Sequence, residues 1–132
     1  MFADTDPTNT AGTVVALATT DYSEVAGGSQ ILDNHVNVVT GVGYANLNKL
    51  LEATPQADDG GGDDLSTESA IVVFYNTSTQ RVEIQRMTVA DGASGDNGVV
   101  TSTSTVIGYF SDLTLSDMPG FDSTNFEVIS LG

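Results

Sequence analysis

Ala70-Ile71-Val72-Val73-Phe74-Tyr75-Asn76-Thr77-Ser78-Thr79-Gln80-Arg81-Val82-Glu83-Ile84-Gln85-Arg86-Met87 is the stretch that decides the fold, and it reads as a β-hairpin. Its first arm, Ala70 to Tyr75, is a near-continuous apolar run, the pattern of a strand covered on both faces. The second arm alternates, which places Val82, Ile84 and Met87 inward and Arg81, Glu83 and Gln85 toward water. Asn76 to Gln80 is polar and turn-prone. Two of the three basic residues, Arg81 and Arg86, fall on the second arm.

Working outward, further β-prone segments flank the hairpin. Thr13 to Thr20 reads as a strand, Asp21 to Ser29 as a loop broken by Gly27-Gly28, and Gln30 to Val42 as a longer strand region. Tyr44 to Ala53 reads as the single helix: Leu47, Leu50 and Leu51 recur at helical spacing, and Pro55 supplies a stop. Gln56 to Ser69 and Asp91 to Gly98 are acidic, Gly-rich loops. Val99 to Phe110 is a Thr/Ser-rich strand. Leu113 to Gly120 is a short connection with room for one helical turn, and Phe126 to Leu131 is the last strand. The sum is a mainly β chain, an antiparallel sandwich-like domain with one short helix at about residues 44–53. Residues 1–12 form an extended polar arm, and residues 13–132 form a single domain.

The composition narrows the function. Eighteen acidic residues against three basic ones give a formal charge of −15. A phosphate-contacting nucleic-acid binder needs a basic patch, and so does a protein held on an anionic membrane. No stretch is apolar for long enough to span a bilayer, so membrane insertion is not expected. Met1 to Asp6 has neither the basic nor the apolar region of a signal peptide. Cysteine is absent, which excludes disulfides and thiolate metal sites. Abundant Thr, Ser, Asn and Gly with few charged residues is the profile of an extracellular or virion β-protein.

Candidate chemistry is sparse. Asp58, Asp59, Asp63 and Asp64 place four carboxylates within seven residues around Gly60-Gly61-Gly62. Glycines allow a tight fold on which such groups converge on a hard cation, so calcium is the candidate cofactor there. The spacing is not that of an EF-hand, and the competing reading is a solvated loop extended by its own charge. His35, the lone histidine, has no cysteine or recognisably spaced nucleophile to join it. The aromatic-lined acid pair of a glycosidase is not evident without Trp. Asn76-Thr77-Ser78 matches a glycosylation sequon. The Gly-rich runs do not open a helix after a strand, so they are not nucleotide loops. Nothing here points to an enzyme.

Val73-Phe74-Tyr75-Asn76-Thr77-Ser78-Thr79-Gln80-Arg81-Val82, with Val106-Ile107-Gly108-Tyr109-Phe110, Leu115-Ser116-Asp117 and Asn125-Phe126-Glu127-Val128-Ile129, resembles a recurring C-terminal module. It is similar to the β-rich region that closes RTX-type, calcium-associated proteins exported by the bacterial type I pathway. The likeness covers residues 65–131. It departs from the family at Gln80, where the family turn carries Gly. Gly60-Gly61-Gly62-Asp63-Asp64-Leu65 echoes only one imperfect calcium repeat.

The resemblance implies a secreted or cell-surface, non-catalytic β-domain associated with type I secretion. The alternative is a self-assembling structural subunit: a filament, surface-layer or phage decoration protein. Its partner would be another copy, joined by strand addition through the N-terminal arm or the Phe126–Leu131 strand. A small hydrolase is the third class.

Overall fold

The computed structural model describes residues 14–16, 19–26, 31, 35–53, 68–89 and 102–129. The order is β1 (Val14–Ala16), β2 (Tyr22–Val25), β3 (Val36–Val39), α1 (Leu47–Ala53), β4 (Glu68–Asn76), β5 (Arg81–Val89), β6 (Ser102–Phe110) and β7 (Glu127–Ile129). Short 3-10 turns occupy Thr19–Asp21, Leu115–Gly120 and Ser123–Asn125. Among the described residues the chain is mainly β with one α-helix, as its sequence suggests.

The hairpin forms where expected. β4 pairs antiparallel with β5 from Glu68↔Val89 to Asn76↔Arg81, and β5 pairs antiparallel with β6. The sheet order is β2-β3-β4-β5-β6, and β1 pairs with β7 in a separate two-stranded sheet. The antiparallel expectation holds for those ladders and fails for the other half of the main sheet. There β2, β3 and β4 run parallel. The cause lies between β3 and β4, where α1 carries the chain back to the same end, the crossover that parallel strands require.

Two further expectations are corrected. Tyr22 to Val25, read as loop, is a strand. It is short and has only two apolar residues, and its pairing comes from β3 rather than from its own pattern. The helix begins at Leu47 instead of Tyr44, because the Asn46 side chain accepts from the Lys49 backbone N–H at 2.9 Å and caps it. Tyr44 instead bridges the end of β4: its N–H donates to the Tyr75 carbonyl and its carbonyl accepts from Thr77. Gly43 makes that approach feasible, since a Cβ there would stand 2.8 Å from Thr77 Cγ2.

Both faces of the main sheet are covered. On one, Leu47, Leu50 and Leu51 of α1 pack with Val25, Ile31, Val39, Ala70, Val72, Phe74 and Met87. On the other, Met118 and the part-buried Leu113, Leu115, Phe121 and Phe126 pack on Val36, Val38, Val73 and Val82. This is why Ala70 to Phe74 is apolar almost without a break. Each fully buried side chain of this size contributes about 1.5–3 kcal/mol.

The two-sided cover also overturns the outward placement of Glu83 and Gln85. The alternation along β5 is real, but Glu83 and Gln85 lie on the face that α1 covers, so both residues are buried, while Arg86 on the other face is exposed. Met87 is buried too, on the α1 face, opposite to Val82 and Ile84.

Candidate functional site

The buried polar residues of the hairpin form one cluster. Asn76 Oδ1 accepts from the Ser78 and Thr79 backbone N–H groups at 2.9 and 3.2 Å, which folds the turn. Asn76 Nδ2 donates to Glu83 at 3.0 Å. The Glu83 carboxylate also accepts from Thr79 Oγ1, Arg81 Nε and Gln85 Nε2 at 3.1, 3.0 and 2.8 Å. Burial alone would raise the Glu83 acid; the four hydrogen-bonded partners outweigh it and hold the carboxyl below its ordinary range. With both oxygens engaged, Glu83 organises the hairpin and has little capacity left to act as a base. Asn76 is buried with its amide committed, so the sequon asparagine does not present itself for glycosylation.

Two surface carboxylates, Asp117 and Asp122, serve the starts of short 3-10 turns. Asp117 accepts from the Thr114 backbone N–H and hydroxyl at 2.8 and 2.7 Å, and Asp122 accepts from Thr124. These bonds lower both acids. His35 lies half-buried beside β3, and its carbonyl receives the Asn37 amide and the Ile71 N–H. Asp58, Asp59, Asp63 and Asp64 lie outside the described residues, as does the 1–12 arm. Among the described residues, no group of three or more His, Cys, Asp or Glu could hold a metal ion. No described helix is long and apolar enough to cross a membrane.

What remains is the outer edge of β6. Among the described residues, no strand pairs with it on the side away from β5. The strand is nine residues long and carries no charge. Val106, Ile107, Tyr109 and Phe110 are 45%, 55%, 57% and 39% exposed, the principal apolar exposure on the sheet. Ile84 pairs with Gly108 and Gln85 with Val106, so Ile107 is an extra, bulged residue. Val106 and Tyr109 therefore share the α1 face, while Thr105, Gly108 and Phe110 share the other.

Each aromatic on the edge is tied inward. The Arg81 guanidinium lies 4.1 Å from the Tyr109 ring centre, and Arg81 is in turn paired to Glu83 at 2.9 Å. Phe110 stands 6.1 Å from Phe121, which stacks on Phe126 at 6.0 Å; Phe126 lies 6.2 Å from Tyr22. A run of rings thus spans the sheet from β6 to β2. Sequence reasoning missed this edge because Val99 to Phe110 looks like any half-buried strand until its position in the sheet is known. Comparison of the chain with protein-family models, curated proteins and solved structures finds no match.

Proposed function

We propose that this chain is a non-catalytic structural β-domain that joins to other copies by strand addition at the outer edge of β6, which no described strand covers. The observation that carries the reading is a nine-residue, uncharged edge strand with four exposed apolar side chains. Such an edge offers a row of unpaired backbone groups together with apolar area. β7 is already paired with β1 on one side, which leaves β6 as the longer joining element. The Thr-, Ser-, Asn- and Gly-rich, acidic composition supports a role outside the cell or on its surface. The formal charge of −15 opposes contact between copies, so salt favours association by screening.

The test is sedimentation of the wild type and Ile107→Lys in moderate salt. A wild type that associates and a folded variant that stays monomeric support the reading; a wild type that remains monomeric at high concentration removes it.

A second reading, a lone terminal module of an RTX-like secreted protein, is favoured by one observation. Gln80 adopts φ +54°, a left-handed conformation at the position where the resembling family carries glycine. A strictly monomeric wild type is the outcome that favours this reading over assembly.

A further inference from the structure

We propose that β6 pairs with β6 of a second copy, antiparallel, about a two-fold axis passing between Val106 and Ile107. The inference rests on β6 being the joining edge and adds the partner strand, its direction and its register.

Charge argues for a second copy meeting at this strand. Copies of a chain with formal charge −15 repel wherever acids face each other. β6 has no acid, and the nearest charges on β5 are Arg81, Arg86 and the buried Glu83, which is already paired to Arg81. The opposite edge strand, β2, carries the exposed Glu24.

The strand is also complementary to itself. Its first half, Ser102 to Thr105, is hydroxylated, and its second half is apolar and aromatic. Antiparallel pairing lays one half on the other, and aromatic rings beside Thr are favourable cross-strand neighbours.

The bulge then fixes the register. Residues opposite each other on a ladder must point to the same face. The extra residue at Ile107 shifts the alternation, so even-numbered residues before it share a face with odd-numbered residues after it. Face-matched pairs that join the two halves of the strand therefore match one even and one odd residue, and an axis relating the halves falls between two residues. The arrangement that uses the most of the strand sets Thr103 against Phe110, Ser104 against Tyr109 and Thr105 against Gly108 of the mate. Both bulges then meet at the axis. A two-fold contact of this kind closes, giving a dimer with one continuous sheet and no further growth from β6.

The absence of cysteine makes the test clean. Thr103→Cys/Phe110→Cys is oxidised mildly at associating concentrations, alongside each single variant, with circular dichroism to verify folding. Ser104→Cys/Tyr109→Cys repeats the test on the opposite face if loss of the Phe110 ring disturbs the first. Two equivalent Thr103 positions would lie far beyond disulfide reach in this register. The expected result is a covalent dimer from the double variants and none from the singles, with wild-type mass stopping at twice 13.7 kDa. Disulfides from Thr103→Cys alone, or growth beyond a dimer, overturn the two-fold register while leaving β6 as the joining edge. A monomer at every concentration overturns both.

Discussion

β2 and β6 are the two edges of one sheet, and they differ in length, charge and cover. β2 has four residues; Val25 is buried, Tyr22 is half-buried, and Glu24 faces water. The Tyr22 hydroxyl donates to the Phe121 carbonyl at 2.8 Å, which ties this edge to the segment covering the sheet. Shortness and a charge are the usual protections of an edge strand. β6 is more than twice as long, is uncharged, and among the described residues keeps only the bulge at Ile107 as a protection. A chain with 18 acidic residues had ample means to charge this strand. The difference separates a short, charged, tethered edge from a long, uncharged one with exposed apolar side chains.

The largest expected effect destroys both edges together. Phe74 lies fully buried in the central strand β4, so Phe74→Ala should cost roughly 3–5 kcal/mol in denaturant melts. A loss below about 1 kcal/mol would mean that the sheet is not packed on both faces as described.

Next comes the polar cluster that backs β6. Glu83→Ala leaves the buried amides of Gln85 and Asn76 and the half-buried Arg81 without their acceptor and should cost about 1–3 kcal/mol. The same carboxylate sets an acid dependence. Its folded pKa lies below the ordinary 4.5, so the unfolded chain takes up the proton first. The stabilisation is complete above that ordinary value and is lost as pH falls through the folded value. Acid melts should show this decline, and Glu83→Gln should make it shallower. An equally steep decline in Glu83→Gln would assign the acid sensitivity to other carboxylates.

Tyr22→Phe sharpens the comparison from the β2 side. It removes one hydrogen bond, at a cost of about 0.5–1.5 kcal/mol, and should leave association unchanged. Gln80→Gly relieves a left-handed residue and should raise stability by up to about 1 kcal/mol. The smallest stability effects come from charging the edges themselves. Ile107→Lys and Glu24→Lys both change exposed positions and should each shift stability by about 0.5 kcal/mol or less. Only Ile107→Lys should abolish association; equal behaviour of the two would erase the distinction between the edges.

Local pattern made part of this legible. The hairpin, the leucine stripe of the helix and the final strand all follow from residues that carry their own periodicity. The parallel half of the sheet did not, because Tyr22-Ser23-Glu24-Val25 becomes a strand only through β3. Glu83 and Gln85 alternate like surface residues, and their burial comes from lying on the face that α1 covers, beside Met87. The exposure of Val106 to Phe110 depends on strand order, which a single strand's sequence does not encode. The carboxylates at Asp58, Asp59, Asp63 and Asp64 are plain in the sequence, yet they lie outside the described residues.

Amide hydrogen exchange in dilute and concentrated solution tests most directly whether β6 is the edge that copies cover. Exchange within Ser102–Phe110 should slow as concentration rises and should slow further with added salt, while exchange within Tyr22–Val25 stays constant. Exchange in Ser102–Phe110 that is indifferent to concentration, or protection that grows in Tyr22–Val25 instead, would contradict the account.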